Sequence, residues 1–361
     1  MSSGDDRPSD TMRERVPENS RTFWVLLEAD RWLVAGCILG SVFLALVAAG
    51  LLHPTPVKTL LTRGDPLETL YQALVGSTIT GVTLVLTLSQ LVLSQEQGPV
   101  GDQRERMEGA MAFREDVEDV IREPVSPAQP SAFLRSLVKL TKRRAQAVRD
   151  AVAEDAIDET DGDLAEQVDA FVENLEGNAE TVASNLEGSQ FGEFDVVFSA
   201  LNYNYSWKLY AARRIRAEHA DALTERAADA FDELIEALEL FGPAREHFKT
   251  LYFQWELADL SRTVLYASVP AIAVATGSLL FFDPRDVARG WVALVVAALT
   301  VTVTLAPFAI LLAYILRIVT VTKRTLSIGP FILRETDRSR DLDWGETEAT
   351  SGESPGIEDD D

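Results

Sequence analysis

Apolar positions in this chain gather into four blocks of membrane length, separated by a long stretch of helical period. From Trp32 to Leu52 there is no charged residue, close to the ~20 residues that a bilayer requires. His53-Pro54-Thr55-Pro56 ends that block, because proline removes donors and disfavours helix before it. The second block lies inside a helix predicted over Pro66–Gln97. Asp65 stands where an N-cap belongs, Pro66 at the first helical position and Glu68 at the capping-box spacing, with Gly98-Pro99 as the stop. Such a helix would be about 48 Å long, more than the ~30 Å of hydrocarbon it crosses. The third block covers Thr263–Phe282 and the fourth Trp291–Leu316.

The middle of the chain reads as amphipathic helices. Asp102-Gln103-Arg104-Glu105 predicts a helix start, with the helix running to Glu123. Ser131–Asp155 sets Leu134, Leu137, Val138, Thr141, Ala145, Val148 and Val152 at helical spacing. Asp163 and Glu166 open a helix with Val168, Phe171, Leu175, Val182 and Leu186 on one side. The aromatic-dense segment Phe191–Glu218 is expected to be the buried centre of a bundle. Ala220–Phe241 forms a further helix, closed by Gly242-Pro243, and from Ala244 the helical pattern runs into the third block. No stretch alternates as a strand, so the expected class is all-α: two spans, a large helical insert and two more spans. Residues 1–20 are expected to be disordered, 21–97 to hold membrane helices 1 and 2, and 98–243 to form a cytoplasmic helical domain. Residues 244–322 would add a juxtamembrane helix and membrane helices 3 and 4, and 323–361 an acidic disordered tail.

Charge supplies the orientation. Arg21, Arg31, Arg104, Arg106, Arg262, Arg317, Lys323 and Arg324 flank the spans on one side. The short connections hold Lys58, Arg63, Arg285 and Arg289. The positive-inside rule then puts both termini and the insert in the cytoplasm of a multi-pass plasma-membrane protein. The net charge is −24, and only six of the 33 basic residues are lysine. Acids spread over nearly every polar segment are the surface expected of a halophile, whose salt screens them within a few Å.

The chemistry-bearing feature is a polar stripe. Thr80, Thr83, Thr87, Gln90 and Ser94 follow spacings of three and four, one face of the second helix. Thr300 and Thr304 share a face of the fourth span. These groups either line a hydrated pathway or make interhelical hydrogen bonds worth about 1 kcal/mol each, and the spacing alone leaves both open. Gly36-xxx-Gly40 and Gly81 are candidate helix-packing positions, and Pro270 and Pro307 candidate kinks. No Asp, Glu, Lys or Arg lies deep in a span, which argues against a charge-driven pump.

Other chemistries find little support. His53, His219 and His247 share no spacing with a nucleophile, and no P-loop, GxGxxG or HExxH occurs, so neither an enzyme nor a cofactor is expected. The acidic run ending Asp161-Gly162-Asp163 fails as a calcium loop, because Ile157 and Val168 fall where carboxylates are needed. Cys37 is alone in an apolar helix and reads as a small buried packing residue. The basic run Lys139, Lys142, Arg143, Arg144 and Arg149 suits acidic helices of its own bundle or a membrane surface. Without interleaved aromatics it does not suit nucleic acid.

The string Ser77-Thr78-Ile79-Thr80-Gly81-Val82-Thr83, with Ser89-Gln90-Leu91-Val92-Leu93-Ser94-Gln95, Gly98-Pro99 and Gly101–Met107, resembles an uncharacterised family of haloarchaeal membrane proteins. That resemblance implies no activity. The order of spans and insert is similar to the bestrophin channels at the level of topology, without their aromatic-rich neck in the second span. The functional expectation is a homo-oligomer around the second spans that passes small ions or solutes and is gated by the insert. The alternative is a membrane-anchored sensor or scaffold whose helical domain binds a cytoplasmic protein partner.

Overall fold

The computed structural model describes residues 29–155, 162–189 and 194–325. The expectations for 1–20, for Ile157, for Phe191 and for the acidic tail lie outside the described residues. Within them the chain is helical throughout and contains no strand. In order the helices are α1 Arg31–Leu52, α2 Val57–Thr62, α3 Pro66–Glu96, α4 Val100–Ile121, α5 Pro130–Asp155 and α6 Gly162–Leu186. There follow α7 Phe194–Leu201, α8 Tyr205–Glu218, α9 Glu225–Phe281, α10 Gly290–Thr304 and α11 Ala306–Thr325. Three of them, α1, α3 and α9, are long and apolar enough to cross a membrane, and α10 with α11 makes a fourth if that bent pair counts as one span.

Helix α9 organises the molecule. At 57 residues it is about 85 Å long. Its first half closes the largest core, where Phe231, Leu234, Leu238 and Phe241 pack with the predicted apolar faces of α5 and α6 and with Tyr203 and Leu209. Its second half runs beside α3 and α11, burying Leu260 and Val264 against Ala35, Val85, Ile310 and Tyr314. The expected stop at Gly242-Pro243 does not occur. Pro243 forfeits one helical hydrogen bond, a cost of about 3 kcal/mol in an exposed helix. Here Phe241, Gly242, Ala244 and Arg245 are all buried around it, and that burial holds the helix straight through. Gly242 is there for close approach: a Cβ would lie 2.9 Å from the Tyr205 ring. Gly242→Ala is expected to destabilise the bundle by about 1–3 kcal/mol through overpacking, read as a lower melting temperature of the purified chain.

Several local expectations are corrected. Asp65 precedes α3 but does not cap it; its backbone is left-handed, at φ 49°, and its carboxylate pairs with Arg285 at 3.2 Å. Helix α4 begins at Val100, so Asp102 lies in its first turn rather than at its cap. Cys37 is exposed, because it lies on the face of α1 away from Ala35, Val34 and Ile38, which pack on the other helices. The fourth apolar block is two helices bent by 47°. Pro307 has no N–H for Val303, and Thr302 and Thr304 bond the carbonyls of Ala298 and Thr300, at 2.7 and 2.8 Å, a pattern that bends helices. The break falls at Leu305, while α9 passes Pro270 as one helix.

The basic run of α5 meets acids of its own bundle: Lys142 pairs with Glu180, Arg144 with Glu233 and Arg149 with Glu176. At the end of α4 the Glu118 carboxylate accepts from the Ser126 backbone N–H at 2.7 Å and its hydroxyl at 2.8 Å. These bonds hold the Glu118 carboxyl below the usual glutamate range. A lowered folded pKa stabilises above the unfolded value of about 4.3, and that contribution is lost as pH falls through the folded one. Proteolysis of the 122–129 turn should therefore quicken only in acid, and Glu118→Gln should remove that pH dependence.

Candidate functional site

The polar stripe of α3 faces away from its own chain. Thr80, Thr83, Thr87, Gln90 and Ser94 are all exposed. Tyr71, Leu74, Thr78 and Val85, on the far side of the helix, are the buried positions. Residues two apart lie about 200° round an α-helix, so the sets Thr78/Val85 and Thr80/Thr87 point in nearly opposite directions. Each stripe hydroxyl donates to its own backbone: Thr80 to Gly76 O at 3.0 Å, Thr83 to Ile79 O and Thr87 to Thr83 O at 2.9 Å, and Ser94 to Leu91 O at 2.7 Å. Such bonds let a hydroxyl lie in dry surroundings and still leave an oxygen lone pair outward. Gln90 presents its carboxamide from the same face.

Thr300 and Thr304 do not join the stripe. The Thr300 hydroxyl shares a hydrogen bond with Tyr71 on the packed side of α3, and Thr304 is fully buried, donating to Thr300 O. The contact on that packed side that spacing did not single out is Ser89. Its hydroxyl meets that of Ser261, which also reaches the Val85 carbonyl at 3.4 Å. This pairing sets Gln90 and Ser94 level with the charged stretch Glu256–Arg262 of α9, and Thr80, Thr83 and Thr87 level with its apolar part, though on the outward side of α3.

Gly36 and Gly40 are exposed, with open space where a Cβ would stand. Gly81 does receive a neighbour, the Phe308 ring at 3.2 Å from a built Cβ. Of the three glycines in α1, the one approached closely is Gly50, by the Leu294 side chain. Pro270 lines a groove described below, and Pro307 is buried just past the bend.

Sequence spacing missed a charged girdle where the apolar parts of α1, α9 and α11 share an end. Arg31 pairs with Glu256, which is 4% exposed, and its guanidinium lies 4.6 Å from the centre of the Tyr314 ring. The Tyr314 hydroxyl donates to Asp259 at 2.8 Å, and Arg262 donates to the other Asp259 oxygen at 2.9 Å. Arg317 donates to the Ala29 carbonyl and stacks over Phe194 of α7. Beside them Tyr252 is buried with Val197, Leu201 and Val321, tying bundle to α11. Burial, then the Glu256 charge, pushes the Tyr252 phenol well above its usual range, so it stays protonated at neutral pH. The signal was present: Glu256 and Asp259, three apart, at the mouth of an apolar helix, opposite arginines at two other helix ends. By position alone those arginines mark only the orientation of the spans.

Comparison with curated proteins and with solved structures finds no match. A family of unknown function, DUF7972, matches residues 1–346, and the chain belongs to that family.

Proposed function

We propose that this chain is one subunit of an oligomeric, passive membrane pathway for small ions or solutes. In this reading α1, α3, the end of α9 and the α10–α11 pair are four spans, with both termini and the helical bundle in the cytoplasm. Arg31, Arg262 and Arg317 at the girdle end favour that orientation. The single observation that carries the reading is the outward polar face of α3. Lipid gains nothing from Thr80, Thr83, Thr87 and Gln90, whereas copies assembled around α3 would bring their stripes to a shared axis. Helix α4, which follows α3 directly, adds support. It is exposed at every position from Val100 to Ala112, Met107 and Met111 included. Three acids balance three arginines over Val100–Arg114, so copies of a chain of net charge −24 can meet there without repulsion.

The rigid run of α9 from bundle to membrane would carry gating, and the girdle would be its joint. A second reading, a membrane-anchored scaffold that binds a cytoplasmic protein, draws on the backbone bonds of the stripe hydroxyls, which suit a dry helix contact as well as a wet one. The mass of the detergent-solubilised full chain, with ion flux in liposomes at several pH values and salts, separates them. A defined oligomer with flux is expected. An oligomer that never conducts favours the scaffold, and a monomer sinks the pathway.

A further inference from the structure

A groove of about 550 Å³ opens on the outer side of the molecule, where the first turn of α1, the middle of α9 and the α10–α11 bend meet. Its size falls within the ~300–1,000 Å³ of small-molecule sites. Arg262, Trp32 and Tyr266 stand at the girdle end, and Pro270, Val303 and Ile310 line the rest. Arg262 and Pro270 are two turns apart on α9, about 12 Å along its axis. The groove lies between the α10–α11 bend and the turn of α9 that carries Pro270. The 47° bend before Pro307 leaves a notch that a straight span would fill. Pro270 cannot donate to the Tyr266 carbonyl, nor Pro307 to that of Val303, and both of those residues line the groove.

The walls are graded from charged to apolar. Of the three girdle arginines, Arg31 is spent on Glu256 and Arg317 on the Ala29 carbonyl. The Arg262 side chain is 67% exposed, and its contact with Asp259 occupies one of its five N–H donors. Asp259 also accepts from the Tyr314 hydroxyl on its second oxygen, so its hydrogen-bonding is shared between two donors. Trp32 and Tyr266, 61% and 71% exposed, stand beside Arg262 as amphipathic rings do at a headgroup level. Below them the lining is apolar apart from Thr263.

We propose that this groove is a binding site for an anionic phospholipid, its phosphate on Arg262 and one acyl chain laid along Pro270, Val303 and Ile310. The chemistry selects that occupant: an exposed guanidinium at one end, an apolar slot about two helical turns deep, and a side open to the surroundings of the spans. The proposal rests on the bilayer placement of α9 and α10–α11 given above.

The test is native mass spectrometry of the full chain, released from detergent after titration with phosphatidylglycerol or phosphatidylcholine. Phosphatidylglycerol should be retained about fivefold more tightly, the ratio that about 1 kcal/mol per basic side chain near anionic lipid corresponds to. Arg262→Gln should erase that preference and Arg262→Lys should keep most of it. Val303→Trp, which fills the slot and leaves the charge, should weaken both lipids. Equal retention of the two by the wild-type chain, or an unchanged ratio in Arg262→Gln, overturns the proposal, since ordinary annular lipid would give either. Failure of the bilayer placement shows separately, as a chain that stays in the aqueous phase without detergent.

Discussion

Glu256→Ala is expected to cost about 3 kcal/mol of stability, the largest loss of any single change at the girdle. Breaking a buried ion pair from one side costs ~3–5 kcal/mol, because the remaining charge keeps its desolvation penalty without its partner. Glu256 is buried and the Arg31 side chain only a quarter exposed, at 25%, which places the effect at the lower end of that range. The lone Arg31 would keep its contact with the Tyr314 ring and nothing of opposite charge. Glu256→Gln should cost less, since an amide still accepts a hydrogen bond. The double change Arg31→Met with Glu256→Leu should recover most of the loss, because it removes both charges and refills the space. Thermal unfolding of the wild type and these three variants in detergent is the measurement. A loss below about 1 kcal/mol in Glu256→Ala would mean that water screens the pair as on a surface. Beyond stability, this pair fastens α1 to the one helix shared by bundle and spans, so its loss should also loosen the α7–α11 contact around Tyr252.

On the proposed pathway, leucine at Thr80, Thr83 and Thr87 together is expected to reduce flux in liposomes to background. These hydroxyls are level with the apolar part of α9, and in the proposed pathway dewetting by leucine would close a narrow passage without a moving gate. Thr87→Ala alone should change selectivity and leave conduction, since it removes one ring of hydroxyls. Gln90→Leu should act more weakly than the triple change, because Ser89 and Ser261 place Gln90 level with the charged girdle. Flux per oligomer, with oligomer mass checked for each variant, is the measurement. A triple variant that conducts normally would move the pathway away from α3.

Strong periodicity was legible where a helix buries one clear face. The predicted faces of Ser131–Asp155 and of the helix from Asp163 are the buried faces of α5 and α6, down to Val148 and Leu175. Punctuation was less dependable. Gly242-Pro243 reads as a stop, yet the burial of Phe241 and Ala244 outweighs one missing hydrogen bond. Asp65 reads as a cap, yet an arginine 220 residues away takes its carboxylate. Cys37 reads as buried because apolar segments usually are, and that inference fails on the face of α1 that no other helix of the chain covers.

The sequence by itself determined the helical class, the apolar segments, the bundle's inner faces and the existence of one polar stripe. These follow from local spacing and from hydrophobicity summed over a turn or more. Only the tertiary structure decided that the stripe looks outward and that Thr300 and Thr304 turn elsewhere. It also decided that Pro307 breaks a span where Pro270 does not, and that Arg31, Glu256, Asp259, Tyr314 and Arg317 meet. Each of those depends on which helices lie side by side, and residues hundreds of positions apart carry no shared period from which to read it.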